Sequence, residues 1–82
     1  MTTDPAALLQ MSGCYRSCGI TSTTQLLKLG LLAQIVLALN PMADVTPEAL
    51  LEQANCYRSY SNASLGDLLE LALLELIAQN IS

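Results

Sequence analysis

The stretch Pro5-Ala6-Ala7-Leu8-Leu9-Gln10-Met11-Ser12-Gly13-Cys14-Tyr15-Arg16-Ser17 is answered forty-two residues on by Pro47-Glu48-Ala49-Leu50-Leu51-Glu52-Gln53-Ala54-Asn55-Cys56-Tyr57-Arg58-Ser59. Further along, Ser22 aligns with Ser64, Leu26-Leu27 with Leu68-Leu69, Leu29 with Leu71, Leu31-Leu32 with Leu73-Leu74 and Ile35 with Ile77. Together these make fifteen identities over forty gapless pairs. Leucines match by chance in a leucine-rich chain, but a shared Cys-Tyr-Arg-Ser block with shared Pro and Ser marks does not. The sequence therefore reads as a tandem repeat, with units over residues 4–40 and 46–82 of a single domain covering 1–82.

Each unit reads as helix, turn, helix. Asp4 precedes Pro5 and Thr46 precedes Pro47, which sets a capping residue before a Pro at the first helical position, where its missing N–H costs nothing. Ser22 and Ser64 stand where the second helix of each unit needs its N-cap, with Gln25 and Asp67 three residues later as a capping box and its acidic variant. Gly13 and Gly19 in the first unit, and Asn55, Ser61 and Asn62 in the second, supply turn chemistry around the Cys-Tyr-Arg-Ser block, and Asn40-Pro41 closes the first unit. No segment alternates with the period of two that a half-buried strand requires. The expected fold is all-α, two helical hairpins packed about a pseudo-twofold axis as a four-helix unit.

An 82-residue chain is short, because a domain of this size buries only ~60% of the surface its unfolded form exposes. Three basic against seven acidic residues leave a net charge of −4, which argues against nucleic acid as a partner. The absence of His removes imidazole acid/base chemistry and imidazole metal ligation. No enzyme activity and no cofactor are expected. The longest apolar run, 26–39, is interrupted by Lys28, Gly30 and Gln34 and falls short of the ~20 residues of a membrane span. The opening Met1-Thr2-Thr3-Asp4-Pro5 carries no basic and apolar leader, so synthesis in the cytoplasm is the expectation.

With 52% hydrophobic and only 12% charged residues, the open question is where the apolar surface goes. On the last helix Asp67, Glu70, Glu75 and Gln79 share a polar arc, which provides a wet side. The second helix has no such side: Leu, Ile and Val surround it, broken only by Gln25, Lys28 and Gln34. Another subunit is expected to cover it, with Leu29, Leu31, Ile35, Val36 and Leu39 as the contact surface and a protein partner or a homo-oligomer as the result. Charge divides unevenly too. Residues 1–41 hold Asp4, Arg16 and Lys28, a net +1, while residues 42–82 hold six acidic residues and Arg58, a net −5. That asymmetry suits head-to-tail contact or docking on a basic surface.

The remaining candidates are the repeat-turn residues Cys14, Tyr15, Arg16, Cys56, Tyr57 and Arg58. Cys14, Cys18 and Cys56 read first as small buried hydrophobes. Three thiols without a His make a poor zinc site, whereas a Cys14–Cys56 disulfide across the pseudo-twofold axis is a second option. The tyrosines are expected to plug the ends of the core with their hydroxyls at the surface, and the arginines to hold last-turn carbonyls of the preceding helix.

Ala7-Leu8-Leu9, Cys14-Tyr15 and Leu31-Leu32-Ala33-Gln34-Ile35, repeated as Ala49-Leu50-Leu51, Cys56-Tyr57 and Leu73-Leu74-Glu75-Leu76-Ile77, resemble small duplicated Cys-Tyr helical proteins encoded among the structural genes of tailed bacteriophages. The resemblance implies a virion component such as a capsid decoration, connector or tail-associated protein, and it implies no active residues. The alternatives are a small acidic adaptor for a host protein and a thiol redox or metal-binding protein.

Overall fold

The structure, a computed structural model, describes residues 2–60 and 62–82. Ser61, one of the expected turn residues, lies outside the described residues. The described residues form five α-helices and one 3-10 helix with no strand. They are α1 (Pro5–Met11), α2 (Gly13–Arg16), α3 (Thr23–Leu39), α4 (Pro47–Gln53), the 3-10 helix Ala54–Ser59, and α5 (Leu65–Ile81). The all-α class stands. The Cys-Tyr-Arg-Ser block is a correction: read as a turn, it is α-helical through Arg16 in the first half, with Ser17 as the C-cap, and 3-10 helical throughout in the second. Among the described residues only Gly19, at φ 95, takes the left-handed conformation that lets the chain reverse out of α2, a region closed to most side chains.

Helix starts follow local chemistry. Ser22 Oγ accepts from Gln25 N–H at 3.3 Å and Ser64 Oγ from Asp67 N–H at 3.3 Å, each satisfying a donor that the first helical turn leaves free. Thr46 caps α4 in the same way. Two expected caps differ. Asp4 makes no side-chain cap bond, and its own N–H donates to Thr2 Oγ1. The Gln25 side chain does not fold back to close a capping box, because its Nε2 donates across to Glu70 on α5 at 3.0 Å.

The shared core lies between α3 and α5, with α1 packed on α3 and α4 packed on α5. Leu26, Leu29 and Val36 from α3 meet Leu69, Ala72 and Leu73 from α5, all essentially without exposure. Burying each large aliphatic side chain contributes about 1.5–3 kcal/mol. Gly30 sets the approach of α1, since a Cβ there would stand 2.9 Å from the Leu8 carbonyl oxygen. The N-terminal segment is pinned by a reciprocal pair: Thr2 N–H donates to Gln34 Oε1 at 2.7 Å and Gln34 Nε2 donates to the Thr2 carbonyl at 2.8 Å.

Leu8 and Leu50 are both buried, as are Leu26 and Leu68, but farther along the long helices several residues matched by the repeat do not share environments. Leu31 is exposed while Leu73 is fully buried, and Leu74 is exposed while Leu32 is half-buried. The outward face of α5 is thus turned by one residue relative to that of α3. The accessible surface, 4876 Å², is close to the roughly 4,700 Å² expected of a folded monomer of this mass. The chain as a whole is therefore not short of burial, and what sets it apart is which residues remain outside. Its dimensions, 35 × 31 × 17 Å, describe a slab. Among the described residues no helix is long and apolar enough to cross a membrane.

Candidate interaction surface

The five residues expected to form a contact surface divide. Leu29 and Val36 are fully enclosed and belong to the core, which corrects that part of the expectation. Leu31, Ile35 and Leu39 stay 39%, 37% and 42% exposed. The reason lies in the small residues. Gly30 and Ala33 allow close approach of neighbouring backbone, so the side of α3 that carries them turns inward together with Leu26, Leu29 and Val36. At 100° per residue, Lys28, Leu31, Ile35 and Ala38 fall on the opposite side, and all four are exposed.

A second apolar face was not anticipated. On α5, Leu74 and Ile81 are 48% and 67% exposed and Ala78 is exposed between them. The polar arc expected to be wet is partly turned inward instead. Glu70 accepts from Gln25, and Glu75 accepts from Gln53 Nε2, from the Tyr57 hydroxyl and from Gln79 Nε2. Carboxylates that tie neighbouring helices together cannot also form the solvent face. The spacing of Leu74, Ala78 and Ile81, four then three, was the signal available in the sequence.

The turn residues are structural in placement. Tyr15 is buried, and its hydroxyl does not reach the surface as expected but donates to the Val45 carbonyl at 2.7 Å, fastening α2 to the linker before α4. Burial pushes the Tyr15 phenol well above its ordinary value, and the neighbouring Cys14 adds to that. Tyr57 is half-buried, and its bond to Glu75 is the main reason its phenol is also raised. Arg16 and Arg58 are exposed, and the expected hold on preceding-helix carbonyls is made differently: the Leu8 carbonyl takes both the Ser12 N–H and the Ser12 hydroxyl.

The thiols are free, so the Cys14–Cys56 disulfide is not formed. Cys14 and Cys56 are exposed rather than buried, and Cys18 is half-buried. Desolvation is the main influence raising the Cys14 thiol, with Cys18 and Glu48 adding to it, the opposite of what activates a nucleophile. Among the described residues no three Cys, Asp or Glu groups stand together as metal ligands. A solvent-open depression of about 330 Å³ at the start of α5 is lined by Arg58, Asn62, Ala63, Leu65 and Leu68, with one ionisable group and no acid/base pair. Set against known proteins, the chain matches no family model, no curated protein and no solved structure.

Proposed function

We propose that the protein is a non-catalytic structural component that packs an apolar helix face against other protein subunits, in the setting of a bacteriophage particle assembled in the host cytoplasm. The observation that carries this reading is the outward side of α3, where Leu31, Ile35 and Leu39 project from a helix already anchored by Leu29 and Val36. Removing such side chains from water on contact is favourable by about 25 cal/mol per Å² of apolar area. The particle setting is supported by the resemblance of the doubled Ala-Leu-Leu and Cys-Tyr pattern to phage structural-gene products.

Quantitative mass spectrometry of purified particles from a phage encoding this chain tests the reading. A fixed, multiple copy number per particle is expected, with Leu31→Glu protein lost from particles although it is still made. Complete absence of the wild-type chain from particles would contradict it. The exposure of Asp44, Glu48, Glu52 and Asp67 on the acidic half favours one other reading, an adaptor docking on a basic surface of a host protein. Recovery as a soluble one-to-one host complex, outside particles, would favour that adaptor.

A further inference from the structure

We propose that copies of this chain associate head to tail, the outward seam of α3 on one copy packing along the outward seam of α5 on the next. This deepens the packing role proposed above and rests on it. On α3 the exposed Lys28, Leu31, Ile35 and Ala38 follow one another at spacings of three, four and three. On α5 the seam runs Asp67, Leu71, Leu74, Ala78 and Ile81 at spacings of four, three, four and three, with Leu71 half-buried and the others exposed. Alternating threes and fours keep a row of side chains in line along a partner helix, the spacing of a coiled-coil seam.

Both seams lie on the sides of α3 and α5 turned away from the core, so neither is used inside the molecule. A molecule with two unlike contact surfaces joins heterologously, giving a ring if the rotation closes and an open stack if it does not. Charge favours this pairing over parallel self-pairing. Each seam holds one charged residue, Lys28 on α3 and Asp67 on α5, of opposite sign. With the helices parallel and Leu31 level with Leu74, Lys28 stands one turn from Asp67 of the neighbour. In the same register Ile35 meets Ala78 and Ala38 meets Ile81, large against small at both levels. A parallel seam paired with its own kind sets Lys28 against Lys28, or Asp67 against Asp67.

Sedimentation of the full chain over a concentration series tests the contact. The average mass is expected to climb past that of a dimer and to fall as salt screens the Lys28–Asp67 attraction. Leu31→Glu and Leu74→Glu alter exposed positions, so each is expected to keep its helix content by circular dichroism and to remain monomeric. Their equimolar mixture is expected to form a dimer and nothing larger, because each retains the seam the other lacks. Lys28→Glu alone should weaken association several-fold, and the Lys28→Glu/Asp67→Lys double variant should restore it. A wild-type mass fixed at the monomer, a Leu74→Glu chain that still dimerises by itself, or a mixture that stays monomeric would each overturn the contact. If the wild type is monomeric while Leu31→Glu is still lost from particles, self-association falls and packing against a different protein stands.

Discussion

Gly30 and Gly66 are both helical glycines that would meet neighbouring atoms if they gained a Cβ, but the neighbours differ in how far they can yield. At Gly30 the obstacle is the Leu8 backbone carbonyl, which is held in α1 and hydrogen-bonded to Ser12. At Gly66 it is the far end of the Gln25 side chain, which can swing aside. Alanine gains about 1 kcal/mol of helix propensity at either site, against overpacking of about 1–3 kcal/mol where nothing gives. Urea denaturation is therefore expected to find Gly30→Ala destabilised by about 1 kcal/mol, the middle of the resulting range, and Gly66→Ala within about 0.5 kcal/mol of wild type. The tyrosines form a second pair. Tyr15→Phe leaves the Val45 carbonyl without its partner and is expected to cost about 1–2 kcal/mol. Tyr57→Phe is expected to cost less, since Glu75 keeps Gln53 and Gln79. Both phenols are raised by folding, so the native state holds its protons longer than the unfolded chain. Their contribution is complete below pH 10, the ordinary phenol value, and is lost as pH rises toward the folded values. Thermal unfolding is expected to weaken above pH 10 in the wild type, and more gently in Tyr15→Phe.

At the scale of the elements, start signals were legible and faces were not. Pro5, Pro47, Ser22 and Ser64 mark helix starts because capping is decided within a few residues. The Cys-Tyr-Arg-Ser block was misread because Gly13 and Asn55 are turn formers by propensity, whereas Tyr15 buried against Val45 and Tyr57 bonded to Glu75 hold both copies helical. The inward side of α3 was hidden because Leu, Ile and Val occur all round it, and the selection is made by Gly30 and Ala33, which are informative only once a neighbour is present. Leu29→Ala is accordingly expected to cost about 2–5 kcal/mol. Leu31→Ala, on the other side of the same helix, should cost well under half as much. The two urea midpoints measured side by side check which face is buried. Contacts far apart in sequence, such as Gln25 to Glu70 and Gln34 to Thr2, left no local trace at all.

For the whole molecule, a slab 17 Å thick with α3 and α5 sharing a core between them leaves one apolar seam outward on each long helix. The overall surface is that of an ordinary monomer, yet Leu31 and Ile35 lie on it, together with Leu74 and Ile81, which were not among the expected contact residues. The acidic excess of the second half was legible from composition, and so was the asymmetry that sets Lys28 on one seam and Asp67 on the other. The pairing proposed for them rests on the faces, which composition left open. Thiol labelling tests most directly that the outer side of α3 is open in the single chain and covered in the assembly. In a chain with Cys14, Cys18 and Cys56 changed to Ser, Ile35→Cys is expected to react with a maleimide rapidly in dilute solution and to be strongly protected in the assembled state. Equal reactivity in both states, or protection already complete in the dilute monomer, would contradict it.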